Sequence, residues 1–174
     1  MKREDLAGAL FDADLVIPGR TNYAFHVEFD KLSRHELCEV FIDDLIETFK
    51  LEQNQHLKNL GLIFNTHISK DLVKIISKRL NVEYSEFNPD TCTLCSCMGD
   101  LDYVFMGYCI SRGTSLHDAE IVLNNLHENS HIVSGLYFLD RQRWQETLQG
   151  RNIGIYSTLN WNDLTDACQF SNKK

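Results

Sequence analysis

Hydrophobic and polar positions repeat with two different periods along this chain, and the order of the periods predicts its architecture. From Leu60 onward, short apolar runs such as "LGLIF" and "YVFMGYCI" alternate with longer stretches such as "SKDLVKIISKRL", where apolar residues recur at helical spacing. Strands that alternate with helices of this length require crossover connections. The pattern therefore predicts an α/β fold with a mainly parallel central sheet that is covered by helices on both faces.

The segment before Leu60 is organised differently. A short amphipathic helix at the N-terminus precedes "LVIPGRTNYAFHVEF", a pattern typical of two extended pieces joined by a turn at Pro18 to Arg20. The stretch "SRHELCEVFIDDLIETFKL" predicts a helix, because Ser33 and Glu36 have capping-box spacing. We expect a single domain, residues 1–174, with the N-terminal helix and strands in 1–32 and the core in 33–174.

The core elements are predicted in a regular order. Strands are expected at 60–64, 82–87, 103–110, 131–140 and 152–156, and helices at 69–80, 115–128, 141–149 and from about 160 onward. The segment 88–100 has neither period and is predicted to be irregular. In a fold of this class, the ligand site is expected beyond the carboxyl ends of the strands.

Composition narrows the classes of function. A length of 174 residues with 43% hydrophobic and 24% charged residues fits one globular domain. The net charge of -8 argues against nucleic-acid and anionic-membrane binding, which depend on a surplus of basic residues. The sequence has no apolar run of about 18 residues and no signal-peptide pattern. We therefore expect a cytoplasmic protein whose six cysteines are thiols or metal ligands and not disulfides.

One stretch, "YVFMGYCISRGTSLHDA", combines a strand, a polar loop with a glycine, and a helix start. Its loop consists of Ser111, Arg112, Gly113, Thr114 and Ser115. A phosphate at this place would meet backbone N–H groups, the positive end of the helix and several hydroxyls. Alternatively, Thr114 or Ser115 merely caps the helix, Ser115 together with the acid three residues later. The residue types alone leave both interpretations open.

Four segments resemble, in the same order, those of the orotate phosphoribosyltransferase family. "YVFMGYCISRGTSLHDA" is similar to that family's strand, paired acids, Thr- and Gly-containing loop and helix. "LVIPGRTNYAFHVEF" resembles its N-terminal hood with a Ser-Gly-Arg turn, and "IVSGLYFLDRQ" resembles its strand ending in Leu-Asp-Arg-Gln. "NIGIYSTLNWNDL" resembles its closing strand and helix. No single segment is specific, but their shared order indicates a diverged relative of this family.

The resemblance implies a type I phosphoribosyltransferase fold with a small N-terminal hood, and it assigns roles to individual residues. The loop from Ser111 to Ser115 would bind a 5′-phosphate, Arg141 would contact the base, and Gly19 with Arg20 would form the hood turn. It also implies a dimer and a place in pyrimidine metabolism. Considered without the family, Arg141 is equally consistent with a surface ion pair to a neighbouring acid.

The chain departs from the family where the donor is bound and activated. Gly107 and Tyr108 stand where the paired acids hold the ribose hydroxyls and, with magnesium, the pyrophosphate. Neither residue offers a carboxylate, so magnesium binding is not expected. His67 and Ile17 replace family lysines, and "NPDTCTLCSCMGD", which corresponds to the mobile catalytic loop, contains no lysine or arginine. The cations needed to stabilise a departing pyrophosphate are therefore missing.

A second candidate chemistry lies in that same segment. Cys92, Cys95 and Cys97 have C-x-x-C-x-C spacing, which suits three thiolate ligands of a zinc ion. A fourth ligand would come from Cys109, His67, His117 or a second subunit. A redox-sensitive pair and plain reduced thiols are the alternatives.

Together these features favour a non-catalytic, orotate phosphoribosyltransferase-like protein. It would bind a nucleotide monophosphate or another phosphate-bearing ligand, or act as a regulatory or structural subunit in a homo-oligomer or beside a different subunit. One alternative is an active phosphoribosyltransferase for orotate or another base, which takes its missing groups from a partner. Another alternative is a zinc-bearing protein-interaction module.

Overall fold

The computed structural model describes residues 2–19, 25–53, 59–95 and 99–171. The helices are α1 (Arg3–Asp12), α2 (Phe29–Leu32), α3 (Leu37–Gln53), α4 (Lys70–Leu80), α5 (Thr114–Leu126) and α6 (Trp161–Ser171). The strands are β1 (Val16–Pro18), β2 (Phe25–Val27), β3 (Leu60–Asn65), β4 (Tyr84–Asn88), β5 (Thr93–Cys95), β6 (Asp102–Ile110), β7 (His131–Asp140) and β8 (Gly154–Asn160).

A six-stranded sheet forms the centre of the molecule, in the order β5-β4-β3-β6-β7-β8. All neighbours are parallel except β5, which pairs antiparallel with β4 at one edge. Strands β1 and β2 form a separate antiparallel pair in the N-terminal part. The predicted α/β class with a mainly parallel sheet is confirmed, while β5 replaces part of the segment predicted to be irregular.

The two faces of the sheet carry separate hydrophobic clusters. Along β6, Val104 and Met106 belong to one cluster, whereas Tyr103 and Phe105 belong to the other. This alternation follows from the period of a strand, whose successive side chains point to opposite faces. Helices α1, α2, α3, α4 and α6 supply the first cluster, and α5 is the described helix that supplies the second.

This arrangement places a topological switch point between β3 and β6. The two strands are neighbours in the sheet, yet α4 leaves β3 on one face and α5 leaves β6 on the other. Right-handed crossovers that run outward in opposite directions produce this divergence. In open α/β sheets ligands bind beyond the carboxyl ends of the strands at such a switch point, so the region beyond β3 and β6, called the crevice below, is the candidate ligand site.

The short helix predicted at 141–149 is wrong, because the structure has a series of turns from 145 to 150. Gln142 has a φ of 56°, a left-handed conformation that a right-handed helix does not admit. The carboxylate of Asp140 stabilises the turn by accepting hydrogen bonds from the Gln142 N–H at 2.6 Å and the Trp144 indole at 3.0 Å. The segment consequently folds back against the start of α5.

The capping box predicted at Ser33 is also wrong, although the helix that it was expected to open exists. Ser33 follows the short helix α2, and its hydroxyl donates to the carbonyl of Asp30 at 2.9 Å. A tight turn then separates α2 from α3, which begins at Leu37. Ser33 therefore ends one helix and does not begin the next.

The described part of the chain contains no helix that is both long and apolar enough to cross a membrane.

Gly113, immediately before α5, is required by both backbone conformation and packing. Its φ is +76°, and a Cβ at this position would lie 3.2 Å from Cβ of Trp144 and 3.4 Å from Leu148. Gly150 has nearly the same φ, +77°, but a Cβ there would have no described atom within 4 Å. Substitution of Gly150 therefore measures the free-energy cost of a left-handed residue alone, and substitution of Gly113 measures that cost together with the cost of steric crowding.

We predict that Gly113→Ala lowers the free energy of unfolding more than Gly150→Ala does. Gly150→Ala should cost about 1 to 2 kcal/mol, the cost of a left-handed alanine. Gly113→Ala adds the displacement of Trp144, typically about 1 kcal/mol or more for an overpacked site. Urea denaturation measures both values; equal losses would contradict close packing of the 141–150 segment on the α5 start.

Candidate functional site

The loop after β6 forms one wall of the crevice. Gly113 is the N-cap residue of α5, and no described side chain caps that helix. The interpretation that Thr114 or Ser115 caps α5 is therefore wrong, since both lie inside its first turn. Helix starts carry unsatisfied N–H groups and a partial positive charge, which together attract an anion. This end of α5 therefore offers N–H groups that an anion could accept from.

The side chains around that loop have polar groups within reach of solvent. Arg112 and Thr114 are exposed, and Ser111 and Ser115 are half-buried. The loop thus combines a guanidinium and three hydroxyls with the uncapped helix start. Neutral and cationic donors of this kind complement phosphate oxygens.

A backbone hydrogen bond places Arg141 beside this loop. Its N–H donates to the carbonyl of Ile110 at 2.8 Å, directly before Ser111. Its guanidinium carbon lies 4.5 Å from the ring centroid of Trp161, a cation–π arrangement. A guanidinium that stacks by its face still has N–H groups along its edge for a planar acceptor.

The alternative of an ion pair between Arg141 and Asp140 is not found. The Asp140 carboxylate accepts instead from Trp144 and Gln142. Within the described ranges, Arg141 forms no ion pair with any acid. The structure therefore leaves this cation beside the crevice with an aromatic partner.

Trp161 also attaches the N-terminal strands to the core. Phe25 of β2 packs against its ring at 5.3 Å, and Phe11 of α1 packs against Phe25 at 5.8 Å. Gly19, at the predicted hood turn, is exposed, whereas Arg20 lies outside the described residues. The Arg141–Trp161 contact has no signal in the sequence, because the two residues belong to different elements.

Tyr108 connects the two sides of the crevice. Its hydroxyl oxygen accepts a hydrogen bond of 3.1 Å from the backbone N–H of Ser69, the residue before α4. Its ring lies parallel to that of Phe29, with centroids 4.9 Å apart and an interplanar angle of 2°. The ring of Phe138 packs nearby at 5.9 Å. A side chain from β6 therefore caps the start of the helix that follows β3.

The environment of Tyr108 keeps its hydroxyl neutral. Burial raises the pKa of Tyr108 above its ordinary value, and the hydrogen bond from the Ser69 N–H opposes that change only partly. The lack of a carboxylate at Tyr108 was recognisable from the sequence. The hydrogen bond between Tyr108 and Ser69 was not, because the partners are 39 residues apart.

Gly107 has no space for the side chain that an acid would require. A Cβ at this position would lie 2.8 Å from Cε1 of Tyr137, whose ring is almost fully buried. Asp102, the nearest acid upstream in β6, opens the strand at its amino end, away from the crevice. The described strand therefore has no carboxylate at the crevice, and the aromatic packing leaves no room to add one at Gly107.

The loop between β3 and α4 is fixed to β4. The Thr66 hydroxyl donates to the carboxylate of Glu86, which also pairs with the ammonium of Lys70 at 3.4 Å. These contacts lower the pKa of Glu86, with the Thr66 hydrogen bond as the largest cause. His67, at the position of a family lysine, is exposed. The cation at the start of α4 is thus already paired within the chain.

The cysteine segment lies at the sheet edge. Cys92 has a φ of 48° in the β4–β5 turn and Cys95 ends β5, and both are exposed, while Cys97 lies outside the described residues. Cys109 belongs to β6, three strand spacings or roughly 14 Å from β5. Burial raises the pKa of its thiol to about 11. Cys109 is therefore a poor fourth zinc ligand, and the zinc site itself stays a prediction.

Comparisons with known proteins agree on the fold. No protein-family model matches the chain, and no curated protein matches it. Among solved structures, orotate phosphoribosyltransferase from Aeropyrum pernix superposes with a TM-score of 0.74 at 15% identity, over 92% of this chain and 97% of that one. Orotate phosphoribosyltransferase from Mycobacterium tuberculosis, in complex with inorganic phosphate, gives 0.67 at 14% identity, over 93% and 90%.

The likeness extends to a transferase for a different base. Adenine phosphoribosyltransferase from Rhodothermus marinus gives a TM-score of 0.67 at 10% identity, over 90% of this chain and 98% of that one. Identities this low describe architecture and not activity. The chain therefore has the type I phosphoribosyltransferase fold in a strongly diverged form.

Proposed function

We propose that this protein binds a nucleoside monophosphate or a related phosphate ester and does not catalyse phosphoribosyl transfer. The observation that carries the proposal is the contact between Tyr108 and Ser69, which occupies one side of the crevice with a neutral aromatic side chain. The other side, around Gly113, keeps its uncapped helix start. The protein is proposed to act as a regulatory or structural subunit, alone in a homo-oligomer or beside an active relative.

The phosphate group is assigned to the loop from Ser111 to Ser115. Gly113 has a left-handed conformation at the N-cap of α5, and the first N–H groups of a helix have no partner within the helix. Arg112 adds a cation, and the fold-related protein from M. tuberculosis was solved with inorganic phosphate. These features support a monoanion or dianion at this end of α5.

The planar part of the ligand is assigned to Arg141. The Arg141 N–H bonded to Ile110 keeps this residue next to the proposed phosphate loop, and the guanidinium carbon lies over the Trp161 ring. Edge N–H groups can then donate to carbonyl or carboxylate oxygens of a pyrimidine. A phosphate and a pyrimidine base on one ribose would use both groups.

The proposed lack of catalysis follows from the charges that transfer requires. A departing pyrophosphate needs cations or a metal ion in place when its charge develops. Gly107 and Tyr108 supply no carboxylate for magnesium, and Lys70 is paired with Glu86. The segment from Asn88 to Asp100 contains no lysine or arginine. We propose that ligand binding is independent of magnesium.

Thermal unfolding tests the ligand assignment. Uridine or orotidine monophosphate at about 100 times its dissociation constant should raise the unfolding midpoint by roughly 5 to 11 °C. Arg141→Gln should weaken monophosphate binding about tenfold or more, because a charged hydrogen-bond donor is lost. Arg143→Gln, which changes an exposed arginine two residues away, serves as the matched control. Equal effects of the two variants, or no shift with any monophosphate, would contradict the assignment.

A second assay tests the absence of catalysis. Purified protein incubated with phosphoribosyl pyrophosphate, magnesium and orotate or another base should release no pyrophosphate above the rate without protein. Release that depends on the protein would refute the proposal and would favour a transferase completed by groups from a partner subunit.

A further inference from the structure

We infer that Tyr108 acts as a selectivity residue that restricts the crevice to ligands with a single phosphate group. The inference rests on the proposed phosphate-binding function and specifies its ligand class. Its basis is a difference between the two helix starts at the crevice: Tyr108 Oη accepts a hydrogen bond from the Ser69 N–H at the α4 start, and no described side chain accepts from an N–H at the α5 start.

The crevice brings two helix starts together. Helix α4 begins at Lys70 after β3, and α5 begins at Thr114 after β6. The two strands are hydrogen-bonded neighbours, so their backbones lie about 4.8 Å apart. Each helix start directs N–H groups and a partial positive charge toward the shared opening. If one phosphate group of a ligand lies at the α5 start, the α4 start is the other place in the crevice that would attract a second phosphate group.

Of these two helix starts, the described chain leaves the α5 start open. The N–H of Ser69, at the α4 start, donates to Tyr108 Oη, so a protein oxygen stands where a ligand oxygen would accept. At the α5 start, no side chain of the described residues performs this function for Thr114 or its neighbours. A diphosphate would therefore have to displace Tyr108, whereas a monophosphate at α5 would not.

Packing makes that displacement unfavourable. The Tyr108 ring is stacked on Phe29 of α2 and contacts Phe138 of β7, which is fully buried. Phe29 belongs to the N-terminal part of the chain and stacks on the Tyr108 ring, while the backbone of Tyr108 is held in β6. Moving the ring outward would lose the stacked pair and would expose apolar surface.

Charge supports the same distinction. Near the α4 start, Asp30 of α2 contributes to the raised pKa of Tyr108, and Glu86 pairs with Lys70 and Thr66. The carboxylate of Asp30 opposes a second phosphate at that side, and the carboxylate of Glu86 offsets the charge of Lys70. At the α5 start the loop itself carries the cation of Arg112 and no acid. The field therefore favours one anion beside α5 and disfavours another beside α4.

Calorimetric titration of the full chain with inorganic phosphate and with inorganic pyrophosphate tests the inference, without metal ions. In the wild type, pyrophosphate should bind no more tightly than phosphate. Tyr108→Ala removes both the ring and the oxygen, and it should raise the pyrophosphate affinity about tenfold or more, the effect of recovering one charged hydrogen bond. The informative quantity is the ratio of the two affinities within each protein.

Tyr108→Phe guards against a folding defect, because it keeps the stacked ring and removes only the oxygen. It should also raise the affinity ratio, though less than Tyr108→Ala does. Tyr84→Phe is the matched control, since Tyr84 is an exposed tyrosine on β4. The inference is overturned if the wild type prefers pyrophosphate, or if both Tyr108 variants keep the wild-type ratio.

Phosphate or monophosphate binding by the wild type and pyrophosphate binding by the Tyr108 variants test the proposed function and this inference separately. If the wild type binds neither phosphate nor uridine monophosphate, the proposed function fails, while a gain of pyrophosphate binding in the Tyr108 variants would still support the role of Tyr108. If the wild type binds the monophosphate and the variants gain nothing for pyrophosphate, the proposed function stands and the selectivity role of Tyr108 is refuted.

Discussion

A hydrogen bond between the Tyr108 hydroxyl and the backbone N–H of Ser69 joins the two elements that meet at the crevice of this protein. Tyr108 projects from β6 and reaches the first turn of α4, so it joins the two elements that the switch point separates. The stacked ring of Phe29 holds it there and connects the N-terminal segment to the same point. One side chain thereby fills space, satisfies a helix start and links three parts of the chain.

The packing around Gly107 and Tyr108 leaves no place for carboxylates at this end of β6. The Tyr137 ring covers Gly107, and its burial raises the pKa of its hydroxyl far above the ordinary value. Glu86 neutralises Lys70, the cation at the start of α4. Restoring carboxylates at Gly107 and Tyr108 would therefore create clashes and open cavities before it created a metal site. The core and the crevice are adapted to each other.

The sequence predicted the parts of the fold that depend on local periodicity. The strands from Leu60 onward and the amphipathic helices between them agree in type with the structure, because burial on one face imposes a period. The helix predicted after Asp140 is wrong, since apolar spacing at Trp144 and Leu148 is also compatible with turns. The segment forms turns because Gln142 is left-handed and its N–H is bonded to Asp140. The residue types alone do not reveal this backbone conformation.

The candidate site was predictable only in part. Glycine and hydroxyl residues identified the loop before α5, and the absence of acids at Gly107 and Tyr108 was visible from the family resemblance. The partners of Tyr108 and Arg141 were not, because Ser69, Phe29 and Trp161 come from distant elements that meet only in the folded chain. Local pattern carries no information on such pairings.

The contact between Tyr108 and Ser69 is tested most directly by amide hydrogen exchange at Ser69, measured by NMR in the wild type and in Tyr108→Phe. If the hydroxyl of Tyr108 holds the Ser69 N–H, that amide is protected in the wild type and exchanges about tenfold faster or more in the variant, while the amide of Phe105 in the middle of β6 is unchanged. Equal exchange at Ser69 in both proteins would show that the hydroxyl does not engage the α4 start and would contradict the role assigned to Tyr108.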